Sequence, residues 1–318
     1  MQNPFEYSDT NKRYHTLEYE NRRRYGGRVV KVPLDAGFTC PNIDGCRGRG
    51  GCTYCSSRGS GEHAGLPGTP LMEQFRAGIE ASRSKWSEAR YIPYFQAHTN
   101  TYAPVEVLRE KFEPFIGLPG TVGLSIATRA DCLPPEVLDY LEEIARRTDL
   151  TVELGLQSAF DSTGERINRC HSYAEFTAAV TELKKRGIRV CVHLIDGLPG
   201  EDRAMMLETV RRVAELPVDA VKLHLLYIIK GTVKGTVMGQ EYLEGKVREL
   251  SMEEYVGIVC DQLELLPPEV VIERITGDGE EATLLAPLWS LKKRRVMNAI
   301  DKEMARRNSW QGKGRETK

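Results

Sequence analysis

RVVKVPLDAGFTCPNIDGCRGRGGCTYCSSRGSGEHAG, residues 28–65, is the stretch on which the fold turns. Its first seven residues, rich in β-branched side chains, read as a strand. No helix follows directly; the chain instead enters a glycine-rich loop carrying Cys40, Cys46, Cys52 and Cys55. Half of the eight cysteines therefore sit in one loop at the C-terminal end of a strand. Parallel α/β folds carry their chemistry at those strand ends.

Downstream, short β-like runs alternate with longer helical ones. The strand candidates are YIPYFQ (91–96), TVGLSIAT (121–128), TVELGLQ (151–157), IRVCVHLI (188–195) and AVKLHLLYI (220–228). Helical stretches lie at 70–86, 104–115, 134–147, 173–186, 203–215 and 251–266, with Pro104, Pro134 and Pro135 at starts and Gly187 at an end. Six βα repeats with right-handed crossovers predict an α/β fold, a parallel sheet curled into a partial (β/α)6 barrel of the TIM type. An open doubly wound sheet is the alternative that periodicity leaves open. VVIERIT (270–276) is a further strand candidate that extends the sheet, and a helix near 291–307 closes the chain. Residues 229–250, rich in glycine and charge, read as a long surface loop. The organisation expected is a basic N-terminal extension (1–27), a barrel core (28–228) and a C-terminal extension (229–318) that completes the barrel.

With 318 residues, 41% hydrophobic and 28% charged, the chain has the composition of an ordinary globular protein able to bury a large core. No apolar run approaches the ~20 residues of a membrane span. Glu6 and Asp9 break any signal-peptide pattern at the N-terminus, so a cytoplasmic, reducing setting with no membrane partner is expected. Thiols there serve metals or catalysis more often than disulfides. The net charge of −1 conceals a basic tail, with ten Lys and Arg against three Asp and Glu from Lys292 to Lys318. Such a tail suits a polyanion, and a solvated basic helix is the competing reading.

Three thiolates can hold three irons of a cubane cluster and leave the fourth iron open. The C-x-x-C pair Cys52 and Cys55 places two ligands together, and Cys40 closes the site across an eleven-residue spacer. Glycines at 45, 48, 50, 51, 59 and 61 let the backbone wrap closely. Cys46 is a rival third ligand, and four cysteines are enough for a structural zinc, although only one C-x-x-C pair is present.

The loop, its place after the first strand and the motifs downstream resemble the radical S-adenosylmethionine enzymes. More narrowly they resemble the YhcC/YtqA-like family, related to the radical subunit of Elongator, from about Tyr25 to Trp289. That family's loop reads much like GFTCPN-x-DG-x-x-G-x-GGCTYC, with threonine usual at position 46, which sets Cys46 aside. The resemblance implies a [4Fe–4S] cluster on Cys40, Cys52 and Cys55, with S-adenosyl-L-methionine as cofactor. It places Tyr54 near the adenine. It also implies an electron-donor protein such as flavodoxin or ferredoxin.

The resemblance assigns the strand end YFQAHTNTYAP (94–104) to the methionine amino group, with Gln96 and Thr99 as the polar candidates, against a bland reading as a capped loop. SIATRADCLP (125–134) is expected to expose Thr128, Arg129 and Asp131 together, so that Arg129 holds a carboxylate or simply solvates the loop. In VELGLQSAFDSTGERINRCH (152–171), Glu153 and Gln157 interrupt an apolar strand four residues apart, on one face, which is costly unless each has a partner. The resemblance assigns them to the cofactor's ribose or amino group, with Arg166 following. Related enzymes show R-G-H where this chain has Arg169, Cys170 and His171. In HLIDGLPGE (193–201), Gly197 is the family's point of approach to the adenine edge.

Lys222, His224 and Arg274 are candidates to face substrate, His224 alternatively being a core histidine with a satisfied partner, an ambiguity His193 shares. Cys132, Cys191 and Cys260 read as small core residues. The basic segments, with Trp289 and Trp310 able to stack on bases, point to RNA. Kinship with Elongator narrows that to tRNA and its wobble uridine, in a step from carboxymethylaminomethyluridine toward aminomethyluridine. A small metabolite or tetrapyrrole as substrate, and a non-catalytic zinc-bearing RNA-binding module, are the alternatives.

Overall fold

The computed structural model describes residues 3–230, 237–277 and 279–315. Strands β1 (Val29–Leu34), β2 (Arg90–Phe95), β3 (Leu124–Thr128), β4 (Leu150–Gln157), β5 (Arg189–Asp196) and β6 (Ala220–Leu225) fall on the six predicted runs. A two-residue strand, β7 (Ile228–Ile229), follows; β8 (Val271–Arg274) joins the main sheet and β9 (Leu284–Ala286) pairs antiparallel with β7. The main sheet has seven strands in the order β1-β2-β3-β4-β5-β6-β8, all parallel. It is the curled partial barrel, with VVIERIT supplying the seventh strand.

Helices α1 (Leu17–Tyr25), α2 (Leu71–Arg83), α3 (Val105–Phe112), α4 (Pro135–Ala145) and α5 (Asp161–Arg166) are followed by α6 (Tyr173–Lys185), α7 (Arg203–Ala214), α8 (Val237–Leu243), α9 (Met252–Leu265) and α10 (Lys293–Arg306). Local chemistry fixes their ends. Ser172 with Glu175, and Ser251 with Glu254, form capping boxes at the starts of α6 and α9. Gly187 takes φ 71° just beyond α6, a conformation that favours glycine.

Each central strand sorts its side chains by alternation. Val152, Leu154 and Leu156, with Val190, Val192 and Leu194, are buried in the apolar core beneath the helices. The opposite face of the sheet is layered. Cys191, Ala220 and Val271 form a small apolar floor, against which Leu17 of α1 packs. Above that floor lies a charged layer, and above the charged layer an open pocket.

Within the N-terminal segment, Tyr14 and His15 are buried, and Ile272 of β8 donates its N–H to the His15 carbonyl at 2.7 Å. One expectation needs correction. The run 229–250 is not a plain surface loop, since α8 buries Met238, and Val247 is buried with it; residues 231–236 lie outside the described residues. Among the described residues, no helix is long and apolar enough to cross a membrane.

Candidate active site

The cysteine loop docks over the turn after α5. Thr53 N–H donates to the Ile167 carbonyl at 3.0 Å, and Asn168 Nδ2 donates to the Gly51 carbonyl at 2.7 Å. From the other side, Gln96 Nε2 donates to the Ser60 carbonyl at 2.7 Å, so Gln96 also steadies the loop. This docking turns Cys40, Cys52 and Cys55 into one cavity of about 300 Å³ at the C-terminal strand ends. Cys46 is exposed and outside the cavity, its backbone N–H bonded to Asp44 Oδ1 at 3.0 Å.

Burial pushes the Cys52 thiol up, against the opposing charge of Arg129, and burial likewise raises Cys55. As thiolates in this setting they call for a positive centre, which a metal supplies. Asn42 Nδ2 lies 3.4 Å from Cys52 Sγ, a donor suited to a ligating sulfur. Three soft donors facing one cavity fit a [4Fe–4S] cluster better than a closed zinc site, which takes four protein ligands.

The cavity also carries an orphaned acceptor. Gln157 sits at φ 62° beside a register shift in β4, and among the described residues its buried Oε1 has no partner. Gly155 makes room for it: a Cβ there would lie 2.5 Å from Gln157 Nε2. Tyr54 and Thr99 line the same cavity, so the polar groups a nucleoside cofactor needs converge beside the thiols.

Arg129 departs from expectation. It is buried rather than exposed, it pairs bidentately with Asp131 at 2.9 Å for each contact, and it donates to the Arg169 carbonyl at 2.8 Å. Thr128 is buried as well, and the Asp131 side chain is inaccessible. The guanidinium braces the turn beneath Cys40 and Cys52 while still bordering the cavity. Beside it His171 is lowered to about 4 by burial and by the charges of Arg169 and Arg129, so it is neutral at physiological pH.

The charged layer forms the cavity floor. Glu153 accepts from Lys31 (2.7 Å), Ser125 (2.6 Å), Tyr94 (2.8 Å) and His193 (2.7 Å), and pairs with Lys222. Lys31 also reaches Glu273 at 2.6 Å, bridging β1 to β8 across the interior. Burial would raise the Glu153 carboxyl, but Lys222 and Lys31 overcome it and hold the group well below the usual carboxylate range. Glu153, Cys191 and His193 bring three donor atoms within 4.8 Å of one another, yet the two ammoniums already supply the cations there. The partner Glu153 needed is thus a protein one.

Arg166 and Gly197 lie outside the cavity lining. Arg166 is exposed and paired with Glu241 at 2.6 Å, and a Cβ on Gly197 would meet Leu250 at 3.2 Å. Lys222, His224 and Arg274 do line the cavity. Sequence reasoning missed Lys31, Asn42, Tyr94 and Glu273; a charge within VVKV and within VVIERIT was the available signal. Trp289 donates its indole N–H to the Leu250 carbonyl at 3.0 Å and packs against Tyr255, ring centroids 5.7 Å apart. Several basic residues are paired, Arg24 with Asp149 (2.6 Å), Arg28 with Glu18 (2.6 Å) and Arg307 with Asp261 (2.6 Å), while among the described residues Lys292, Arg294 and Arg295 make no ion pair.

A family model described as the radical SAM superfamily matches residues 43–213, and one described as a radical SAM C-terminal domain matches 218–306. The YtqA protein of Bacillus subtilis (strain 168) is 52% identical over 98% of this chain and 95% of its own length. A tRNA uridine(34) acetyltransferase of Dehalococcoides mccartyi (strain CBDB1) is 31% identical over 49% of this chain, which spans 33% of that relative. Among solved structures, Methanocaldococcus infernus Elp3 superposes with a TM-score of 0.65 at 18% identity, over 89% of this chain and 64% of that one, a likeness of fold.

Proposed function

Since this chain belongs to the radical SAM superfamily, whose members are enzymes using a [4Fe–4S] cluster and S-adenosylmethionine, we propose that Cys40, Cys52 and Cys55 hold that cluster. Gln157, Tyr54 and Thr99 would then hold S-adenosylmethionine for its reductive cleavage, the chemistry that yields a 5′-deoxyadenosyl radical. The observation that carries this reading is the convergence of three loop thiols and an orphaned Gln157 oxygen on one cavity. When bound, the cluster supplies an electron for that cleavage. The protein's part is to orient and to exclude water. Gln157 Oε1 would accept a hydrogen bond from the cofactor's amino group or ribose, Asn42 steadies Cys52, and Arg129 braces the loop they share.

The substrate proposed is tRNA at its wobble uridine, remodelled from the carboxymethylaminomethyl toward the aminomethyl form. The partial likeness to a tRNA uridine(34) acetyltransferase supports it. An electron-donor protein of the flavodoxin or ferredoxin kind completes the system. Anaerobic reconstitution with iron and sulfide is the first test: a brown protein that forms 5′-deoxyadenosine with dithionite, and loses both on Cys52→Ala, is expected. A colourless protein holding zinc would overturn the cluster. For the substrate, wobble nucleosides of tRNA from cells with and without the gene are compared by mass spectrometry. An unchanged profile would remove tRNA as substrate.

A further inference from the structure

The cavity has two poles, and their charges are treated differently. At the thiol pole Arg129 lies in the field of Cys40 and Cys52, and its own fork is filled by Asp131. At the other pole stand β6 and β8, the last two strands in the sheet order. A register shift between them sets Lys222 opposite Arg274 and delivers Arg274 to the cavity wall.

The ion pairs of the floor leave one cation over, since the cavity's other carboxylates, Glu62 and Glu280, make no ion pair with it among the described residues. Lys31 and Lys222 share Glu153 and Glu273, two positive groups against two negative ones. Arg274 is the third cation, and among the described residues no carboxylate or carbonyl accepts from its guanidinium. Beside it is His224. Its Nε2 is buried without a partner among the described residues, and burial with the charges of His193, Arg274 and Lys222 keeps the ring neutral. A buried imidazole nitrogen left unpaired is costly unless a ligand meets it. An unneutralised guanidinium on a cavity wall has the same consequence, and its planar fork matches a compact oxyanion.

We propose that Arg274, with the His224 imidazole beside it, anchors an anionic group of the substrate at the pole of the cavity away from the thiols. Lys222, committed to Glu153, sets the floor beneath that anchor rather than binding the anion itself. The inference rests on the cavity being the substrate site. For the proposed RNA, the anion is either the carboxylate on the modified base or a backbone phosphate, and the two are separable.

Anticodon stem-loops carrying 5-carboxymethylaminomethyluridine or 5-aminomethyluridine keep the same phosphates and differ in the carboxylate. Binding of each to reconstituted holoenzyme with S-adenosylmethionine is compared for the wild type, Arg274→Gln and Arg274→Lys. If the carboxylate is the group held, the wild type prefers the first stem-loop by on the order of tenfold to hundredfold, and Arg274→Gln removes that preference. Arg274→Lys, which keeps the charge without the fork, retains part of it. Equal weakening of both stem-loops in Arg274→Gln assigns the anchor to a phosphate. Unchanged affinity for both, or a parallel loss of affinity for S-adenosylmethionine, overturns the proposal. A second measurement is independent of RNA: holoenzyme crystals soaked in sodium bromide should show an anomalous peak between Arg274 and His224 that Arg274→Gln lacks. That peak without binding of either stem-loop would reject the RNA and keep the anchor; its absence would reject the anchor.

Discussion

At position 170 a cysteine occupies a backbone conformation of φ 62°. The left-handed region costs an L residue roughly 1–2 kcal/mol and glycine almost nothing, so the glycine of an R-G-H turn would sit there without strain. Two local features let the cysteine persist. Its Sγ lies 3.5 Å from Asn168 Oδ1, and Gly48 leaves it space, since a Cβ on residue 48 would come within 2.7 Å of the sulfur. Cys170→Gly is therefore expected to stabilise the apoprotein by about 0.5–1 kcal/mol, raising the melting temperature by a degree or more. A lower melting temperature would mean that the sulfur contacts outweigh the strain. Cys46 presents the opposite situation: it is exposed and outside the cavity, with its backbone N–H on Asp44 and its side chain beside Asp44 and Tyr102. Cys46→Ser is expected to take up as much iron and sulfide as the wild type on reconstitution. A fall in iron content would make Cys46 a ligand after all.

The strands were legible because alternation is a local property. Glu153 and Lys222 announced themselves as polar residues inside apolar runs, and each does sit on the interior face. Their wider partnership was not legible. Lys31 meets Glu153 across 122 residues and Glu273 across 242, and only the curl of the sheet brings them together. Helix α1 was missed for a related reason: LEYENRRRY has almost no apolar face, and it is held by its Thr16 cap and by Leu17 on the barrel floor. The β7–β9 ribbon, two and three residues long, has too few positions to show a period. The charged layer makes an element-level prediction. Glu153→Gln keeps the shape but removes the charge that Lys31 and Lys222 share, leaving Lys222 only Glu273 at 3.6 Å. Breaking a buried pair in this way costs on the order of 3–5 kcal/mol, to be read as a lower urea midpoint. An unchanged midpoint would show that Glu273 alone neutralises both lysines.

Over the whole molecule, the barrel depends on the segments at its two ends. The N-terminal segment around His15 closes it from below, and Gln311 binds the Pro267 and Val270 carbonyls while accepting the His15 N–H, so His15 and Gln311 meet beside β8. On the side of the strand ends, β5 is tied to α9 by one buried contact, Gln262 Nε2 to Asp196 Oδ1 at 2.6 Å. Asp196 Oδ2 has no partner among the described residues, and burial, opposed only by Gln262, pushes the carboxyl up to about 7. The sign of the linkage follows. In the unfolded chain the group ionises near its ordinary value of ~3.9, so between there and about 7 the folded state binds more protons than the unfolded one. The stability contributed by the neutral carboxyl is complete below pH ~4 and is lost as the pH rises through about 7, after which it levels. Asp196→Asn keeps an acceptor for Gln262 and cannot ionise. Its stability relative to the wild type is therefore expected to rise between pH 5 and pH 8, by at most about 4 kcal/mol from pH 4 upward. Urea unfolding of both proteins across that range reads the difference. A constant gap would mean that Asp196 stays charged in the fold and that some other donor meets Oδ2. A gap that widens would place the junction between barrel and C-terminal extension among the parts of the molecule most sensitive to alkaline pH.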